Sequence, residues 1–584
     1  MNKETELYTF SEGGTRWTVS KLNGQPLDKI LLSKIEALCT DITLATASPN
    51  ANPSSSGAVE NMSWARLVKQ NMYRETYLLR PEGIKEGFYL KRYKTRGWKA
   101  GVLSKVFSTQ AHREWLMMLE MKQKGLPVPL TLALGQKKEG GEVIEYLLTQ
   151  EIPDCHPVRN CTHLDKEALL KALASLTARL HKSNIFWKDF QLGNILVSTK
   201  NRRPELYLVD LHSSRYVTKL SSQQKIWMLA KLLDSFEPFS GDDPFTFDSR
   251  DKERFLELYA RQMLDFRSEF NKDVVKVKVL ADKIKRAHLK SRTYRCLKNS
   301  TSFTVEDYDG WKVYRRRDFS TKEIFKLLKA YEDSVQGIAQ GKSQAGPQQQ
   351  VRSGHATMDK GIKTTNKTHL EILESESGKI CVKHYWCKGI LDYLKDMAGL
   401  SRARRAWITG NGLVARGVPT AHPLALVEGP GEAFLLSRAL TDFPRLDHYI
   451  LANYRVTPDK STAQKKRNFI TAIAQAVRQL HDKRIYHGDL KACNILVEEF
   501  PQGTWQFYLI DYDRVLFDSE ISFRRKAKNL AQLHTSIPWC INRTDRMRFY
   551  REYSRGMELD KKAFLHKALQ FSTERIPVLM EPIE

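Results

Sequence analysis

The chain has 584 residues, of which 41% are hydrophobic and 10% aromatic. A chain of this length is too long for one ordinary hydrophobic core, so the composition predicts two or more globular domains and excludes a fibrous or wholly disordered protein. No apolar run approaches the roughly 20 residues that a membrane-spanning helix requires. The formal net charge of +27 predicts attraction to polyanions, whether nucleic acid, an acidic membrane surface or a phosphorylated substrate.

The N-terminal residues lack the basic start, apolar stretch and small-residue cleavage site that together mark a secretory signal. The eight cysteines are scattered without paired clusters, so the sequence does not indicate a disulfide framework. We therefore expect reduced thiols and a cytoplasmic protein.

The chain repeats itself at an offset near 300 residues, which indicates two copies of one structural unit. The segment FYLKRY at residues 88–93 is echoed by ICVKHY at 380–385, and residues 180–197 are echoed by 480–497. The matching segments follow one another in the same order in both halves. The sequence therefore predicts a tandem duplication.

We predict two domains, residues 1–284 and 285–584, with the basic stretch 285–295 either as the connector or as a structural part of the second half. Each half contains an insert rich in Pro, Ser, Gly or Gln, at about residues 45–57 and 337–358. Such segments lack the apolar content that packing requires, so we expect both inserts to be mobile.

Phosphoryl-transfer residues are predicted in the first half. Lys91 lies on an apolar, strand-like run, and Glu114 follows 23 residues later in a helix-like segment, where it can hold the lysine against the α- and β-phosphates of ATP. Asp189 precedes Asn194 by five residues on a predicted tight loop, an arrangement that suits a general base and a metal-coordinating amide. Asp210 ends an apolar strand, and magnesium prefers such carboxylate oxygens.

The second half repeats the pattern with Lys383 on a strand, Asp489 and Asn494 on a loop, and Asp511 at the end of an apolar strand. Lys491 lies between the loop Asp and Asn, and we expect it to contact the nucleotide. We thus predict ATP as a substrate and Mg²⁺ as the metal in both halves, and the alternative that one half is a regulatory scaffold stays open.

The two halves differ at one position and both depart from protein kinases. The helix that carries Glu114 has Ala406 at the matching place, so Lys383 either lacks a partner or is held by another carboxylate. Neither half has a G-x-G-x-x-G loop before its lysine, and no Ala-Pro-Glu sequence closes an activation segment. These differences argue against a protein kinase, and so against a protein as the substrate.

The motifs resemble the protein-kinase-like fold, and more closely the lipopolysaccharide kinase family that phosphorylates Kdo or heptose sugars of the inner core. The segment VDLHS at residues 209–213 is similar to the heptose-kinase form of the metal-binding strand. HGDLKACNIL at 487–496 and LIDYDRV at 509–515 are similar to the Kdo-kinase form. The resemblance implies an α+β fold of two tandem protein-kinase-like bilobal domains, each with a β-rich N-lobe and a shortened, mainly helical C-lobe.

The same resemblance implies an ATP-dependent sugar kinase that acts on Kdo or heptose of a lipid A precursor. Its partners would be lipopolysaccharide and the anionic surface of the inner membrane, to which the cytoplasmic protein would bind peripherally. Two alternatives remain open: a kinase of a protein or another small molecule, and a non-catalytic kinase-like scaffold that binds polyanions. No RNA-recognition motif is evident, so we do not expect a nucleic acid partner.

Overall fold

A computed structural model describes residues 7–12, 14–20, 35, 64–70, 74–95, 109–139, 142–160, 164–198, 204–236, 247–263, 269–339, 363–365, 368–386, 401–455, 460–518 and 520–575. The described residues up to Lys285 pack as one compact unit, and those from Arg286 onward as another. Apart from residues 337–339, both predicted inserts lie outside the described residues. No helix within these ranges is long and apolar enough to cross a bilayer.

An antiparallel sheet opens the first unit. Its described strands are β1 (Leu7–Glu12), β2 (Thr15–Ser20), β3 (Ala65–Gln70), β4 (Arg74–Leu79), β5 (Phe88–Thr95), β6 (Thr131–Glu139) and β7 (Glu142–Gln150). Their order across the sheet is β1-β2-β6-β7-β5-β4-β3. Trp17, Leu90 and Tyr146 are among the residues of its buried core, as expected when alternate side chains of each strand face the same side.

Helices and short strands make up the rest of the first unit. The helices are α1 (Gln110–Gln123), α2 (Lys166–Lys182), α3 (Ser222–Asp234), α4 (Ser249–Ala260) and α5 (Phe270–Thr293). The strands are β8 (Cys155–Pro157), β9 (Ile185–Trp187), β10 (Ile195–Ser198), β11 (Glu205–Leu208) and β12 (Ser214–Tyr216). The division between the units falls inside α5, so the basic stretch that we expected as a connector is mostly helical.

The second unit repeats the sheet. Its described strands are β13 (Phe303–Tyr308), β14 (Trp311–Arg316), β15 (Lys363–Thr365), β16 (Thr368–Ser375), β17 (Gly378–Trp386), β18 (Pro423–Gly429) and β19 (Glu432–Arg438). Their order is β13-β14-β18-β19-β17-β16-β15, which is the order of the first sheet with every number raised by twelve. The lysine strands β5 and β17 therefore occupy the same place in the two sheets.

Short strands and helices complete the second unit. The short strands are β20 (Ile485–His487), β21 (Ile495–Glu499), β22 (Trp505–Leu509) and β23 (Val515–Phe517). The helices are α6 (Thr321–Ala339), α7 (Arg402–Val414), α8 (Leu446–Tyr454), α9 (Lys460–Asp482), α10 (Phe523–His534), α11 (Arg543–Tyr553) and α12 (Lys561–Thr573).

Helix α6 buries its apolar face within its own unit. Ile324, Leu327, Leu328 and Tyr331 are each at most 4% exposed and pack against residues of the second sheet. This helix is therefore part of the core. The fold as a whole is α+β, with two tandem protein-kinase-like lobed domains, as the sequence predicted.

Candidate active sites

Lys91 forms an ion pair with a buried carboxylate in the first unit. Its Nζ lies 2.5 Å from Oε1 of Glu114, whose side chain is fully buried on α1. The second carboxylate oxygen of Glu114 accepts a hydrogen bond from the hydroxyl of Tyr93, and the backbone N–H of Leu211 donates to the first oxygen at 3.2 Å. The ion pair that the spacing predicted is therefore present, and it also connects the lysine strand to the residue that follows Asp210.

Asp210 bonds two side chains that the sequence did not single out for this site. The guanidinium of Arg74, at the start of β4, donates to both carboxylate oxygens at 2.5 Å and 2.9 Å, and Nδ1 of His212 lies 2.7 Å from one of them. Burial by itself would raise the pKa of Asp210. The bonds from His212 and Arg74 and the charge of Lys91 overcome that effect and hold the pKa well below its usual range.

The loop between β9 and β10 carries Asp189 and Asn194. The side-chain amide of Asn194 donates to the backbone carbonyl of Asp189 at 2.9 Å, which fixes the amide with its nitrogen toward the loop. The carboxylate of Asp189 is 41% exposed and lies 3.6 Å from Nζ of Lys231 on α3. The candidate base is thus open to solvent and has one ammonium beside it.

Both candidate metal aspartates have left-handed backbone conformations. Asp210 has φ of 65° and Asp511 has φ of 55°, and each directly precedes a short 3-10 helix. Aspartate adopts a left-handed conformation more readily than most residues do. The conformation is nevertheless uncommon in residues other than glycine. The turn occurs at matching places in the two units, as does a second left-handed turn at Asn184 and Arg484.

Lys383 pairs with a different carboxylate in the second unit. Its Nζ lies 2.7 Å from Oδ1 of Asp511 and 5.3 Å from the centre of the Tyr385 ring. Burial would lower the pKa of Lys383, but Tyr385 and Asp511 together raise it. Ala406 is buried on α7. Of the two outcomes expected for Lys383, the structure shows a replacement carboxylate.

Asp513 adds a second carboxylate to this site. Its side chain is 5% exposed, and one of its oxygens accepts bonds from Nε and Nη2 of Arg402 at 3.2 Å and 2.9 Å. The charge of Asp513 is also among the influences that raise the pKa of Lys383. The first site combines Lys91 and Arg74 with two carboxylates, and the second combines Lys383 and Arg402 with two carboxylates.

Asp489 and Asn494 repeat the loop geometry of the first unit. The side-chain amide of Asn494 donates to the carbonyl of Asp489 at 2.9 Å, as at Asn194. The Asp489 carboxylate is 21% exposed and lies 3.2 Å from Nζ of Lys491. Its backbone N–H donates to Nδ1 of the buried His487 at 3.2 Å, so the second loop is more tightly held.

His481 is buried and has a structural role. Its Nδ1 accepts from the hydroxyl of Tyr553 at 2.6 Å, and its Nε2 donates to Oδ1 of Asn529 at 3.1 Å. The amide of Asn529 in turn donates to the carbonyl of His487, so the histidine supports the loop through α10. His181 is likewise buried and bonds the hydroxyl of Tyr259 at 2.7 Å.

Sequence reasoning missed four charged residues that the structure brings to the two sites. They are Arg74, Lys231, Arg402 and Asp513. A signal existed for Arg74, because the antiparallel register pairs it with Tyr93, two residues from Lys91 on the same face of β5. A signal also existed for Asp513, which follows Asp511 by two residues. Lys231 and Arg402 lie on helices, where spacing alone does not reveal the contact.

Each unit thus contains a paired lysine, an Asp-x4-Asn loop and an aspartate in a left-handed turn, which is the composition of a tandem kinase-like protein. A family model described as the lipopolysaccharide kinase (Kdo/WaaP) family matches residues 68–259 and 358–553. These segments make up more than half of the chain and cover both halves. The chain therefore belongs to this family of kinases.

Individual relatives match over smaller regions. A 3-deoxy-D-manno-octulosonic acid kinase of Pasteurella multocida (strain Pm70) is 38% identical over 65 residues, which is 11% of this chain and 26% of that protein. The structure of WaaP in complex with acyl carrier protein is 19% identical, covers 39% of this chain and 91% of its own, and has a TM-score of 0.29. A crystal structure of WbdD is 14% identical, covers 35% of this chain and 47% of its own, and has a TM-score of 0.24.

Proposed function

We propose that each unit transfers the γ-phosphoryl group of ATP to a hydroxyl of Kdo or heptose in the lipopolysaccharide inner core, on a lipid A precursor. The observation that carries this proposal is the match of both halves to the lipopolysaccharide kinase family. The similarity of one segment to a Kdo kinase favours a sugar hydroxyl as the acceptor. We also propose that the domains are residues 1–284 and 285–584, supported by the packing division after Lys285.

Asp189 and Asp489 are the bases in this proposal. The acceptor oxygen forms a bond to the γ-phosphorus while the bond from that phosphorus to the β–γ bridging oxygen breaks; the hydroxyl proton moves to the aspartate and ADP leaves. Both carboxylates are accessible, at 41% and 21% exposure. An acceptor sugar can therefore approach them from solvent.

Lys91 and Lys383 bind the α- and β-phosphates of ATP in this proposal. Glu114 fixes the direction of Lys91, because its carboxylate is fully buried and bonded on both oxygens. Lys491, next to Asp489, contacts the phosphoryl group that is transferred. Preorganised cations of this kind stabilise the negative charge that the transition state spreads over the phosphoryl oxygens.

Asn194, Asp210, Asn494 and Asp511 fit a magnesium ion. Each asparagine uses its amide nitrogen to bond the loop carbonyl, so the amide oxygen is the atom that would serve as a ligand. In Asn494 this oxygen also accepts a hydrogen bond from Sγ of Cys493 at 3.7 Å. Each aspartate bonds a cationic side chain, so both surroundings accommodate positive charge. Oxygen ligands are those that Mg²⁺ prefers. The ion, when bound to these residues, would supply positive charge that offsets the negative charge of the ATP phosphates.

We propose that the protein works at the cytoplasmic face of the inner membrane, attached peripherally. The acceptor is an amphipathic molecule that resides in that membrane. The net charge of +27 supports attraction to an anionic surface, where each basic residue close to the lipid contributes about 1 kcal/mol.

The mass of lipopolysaccharide from cells with and without the gene tests this proposal. We expect the loss of one phosphate from the inner core if one unit acts on this acceptor, and of two if both do. Complementation with the Asp189→Ala and Asp489→Ala variants then assigns each phosphate to a unit. An unchanged mass would contradict the proposal and favour a kinase of another substrate or a polyanion-binding scaffold.

A further inference from the structure

The loops of the two units differ in the residue two places after the candidate base. The second loop has Lys491 there, and the first has Gln191. Gln191 carries no charge, and its amide lies 3.4 Å from the Asp189 carboxylate. By sequence alone, the first site therefore lacks a cation at this position of the loop, although Lys188 precedes Asp189.

Helix α3 supplies an ammonium at the same place. Nζ of Lys231 lies 3.6 Å from Oδ1 of Asp189, while Nζ of Lys491 lies 3.2 Å from Oδ1 of Asp489. The Lys231 side chain is 18% exposed. It therefore lies against the loop and does not extend into solvent. Each candidate base thus has one lysine within 4 Å.

A matched hydrogen bond in each unit shows which helix residue of the second unit corresponds to Lys231. Ser235, four residues after Lys231, accepts a hydrogen bond from the backbone N–H of Leu192 at 2.9 Å. Ser536, four residues after Gln532, accepts the same bond from Ala492 at 2.8 Å. These matched bonds fix the correspondence of Lys231 with Gln532.

Lysine and glutamine have therefore exchanged places between loop and helix. The first unit has Gln191 on the loop and Lys231 on the helix, and the second has Lys491 on the loop and Gln532 on the helix. Gln532 donates to the carbonyl of Gly488 at 2.8 Å and accepts from the backbone N–H of Leu490 at 3.1 Å. The helix position thus lies against the loop in both units.

We propose that Lys231 is a catalytic residue of the first unit, the counterpart of Lys491, and that its ammonium contacts the γ-phosphoryl group during transfer. This inference rests on the proposed kinase function. Helix α3 holds the lysine in place, because Met228, Leu229, Leu232 and Leu233 anchor the helix in the core. A fixed cation beside the base stabilises the charge that develops on the phosphoryl oxygens as the acceptor oxygen attacks.

The test uses the full chain with Asp489→Ala, so that transfer to extracted lipopolysaccharide reports the first unit. We expect Lys231→Gln to lower kcat about 100-fold or more, with a smaller change in the KM for ATP. Gln191→Lys added to Lys231→Gln should restore much of the loss, because it rebuilds the arrangement of the second unit. Lys225→Gln, the same change on the same helix, is the matched control and should have no effect.

A loss that Gln191→Lys does not rescue, or no loss at all, would overturn the inference. The reciprocal arm uses Asp189→Ala, where Lys491→Gln should lower kcat by a similar factor. If Lys491→Gln has no effect in that background, Lys491 is not a catalytic residue and cannot have Lys231 as its counterpart. The inference then fails, and the proposed kinase function is unaffected. If neither background transfers phosphate, the proposed function itself is wrong and the inference falls with it.

Discussion

Arg74 donates to both carboxylate oxygens of Asp210, at 2.5 Å and 2.9 Å, in the first unit. The arginine therefore occupies the oxygens that we assign to magnesium. In the second unit the residue that pairs with Tyr385 across the strands, as Arg74 pairs with Tyr93, is Thr368. The two sites thus differ in which cation the aspartate bonds before nucleotide arrives.

We predict that Arg74→Gln lowers the magnesium concentration needed for half-maximal transfer by the first unit. The ion would no longer compete with the guanidinium, and a charge-assisted pair contributes about 1.5 to 3 kcal/mol, which corresponds to roughly tenfold or more. Transfer is measured against magnesium concentration in the Asp489→Ala chain. Arg80→Gln, which removes an exposed arginine paired with Glu151, is the control. A higher magnesium requirement would show instead that Arg74 helps to build the metal site.

We predict that Glu114→Gln lowers transfer by the first unit by one to a few orders of magnitude. The change keeps the size of the side chain but removes the charge that holds Lys91, and loss of one partner of a buried pair costs roughly 3–5 kcal/mol as an upper bound. Nucleotide affinity and transfer are measured in the Asp489→Ala chain.

Glu120→Gln is the control for this change, because Glu120 lies on the same helix in a more exposed pair with Lys124. Unchanged transfer by Glu114→Gln would show that the ion pair with Lys91 has no part in the chemistry. A loss of folded protein, seen by circular dichroism, would show that the carboxylate serves packing alone.

Part of this site was open to prediction from the sequence. Lys91, Asp189, Asn194 and Asp210 occur on strands and loops whose order repeats in the second half, so the repeated order and the kinase-like motifs predicted roles for them, and those roles stay predictions. The partner of Lys383 was not predictable. The sequence pointed to the helix position of Ala406, whereas the carboxylate that bonds the lysine is Asp511, brought there by tertiary packing.

The fold was likewise only partly predictable from the sequence. The duplication and the α+β class follow from periodic segments and their order, but the sheet order requires strands distant in the sequence to pair, as β2 does with β6. The sequence carried no prediction of secondary structure for the connector at 285–295, most of which belongs to helix α5. In the structure, Val277 of the same helix is fully buried in the first core.

We predict that stability falls as pH decreases from about 6.5 to 4 because of His481. Burial, partly opposed by the bond with Asn529, lowers the pKa of His481 from 6.5 to about 4. The unfolded chain therefore binds a proton in this window that the folded chain does not, so the free energy of unfolding decreases as pH falls, by at most about 3 kcal/mol. Urea unfolding at a series of pH values measures it.

His481→Gln should make the pH dependence shallower between pH 6.5 and 4, although the variant is less stable at neutral pH. The control is His156→Gln, which replaces an exposed histidine. An equal slope in His481→Gln and the parent chain would contradict the assignment of this buried neutral histidine.

We predict salt-sensitive binding to anionic vesicles, with a contribution from Trp539. This side chain is 73% exposed and precedes helix α11, which carries four arginines. Tryptophan favours the membrane interface, and added salt screens the attraction of the arginines. Vesicle co-sedimentation should show weaker binding for Trp539→Ala than for Tyr216→Ala, which removes an aromatic that is 51% exposed in the first unit. Binding that is unchanged at about 1 M salt would contradict an electrostatic attachment.

Transfer of labelled phosphate from ATP to extracted lipopolysaccharide tests the central claim most directly. Four full-length proteins are compared: the parent chain, Asp189→Ala, Asp489→Ala and the double variant. Both aspartates lie on accessible loops, so we expect every variant to remain folded. Each single variant should lose the transfer made by its own unit, and the double variant should lose all of it. Wild-type transfer by the folded double variant, or label that appears on a protein panel and not on lipopolysaccharide, would contradict the account.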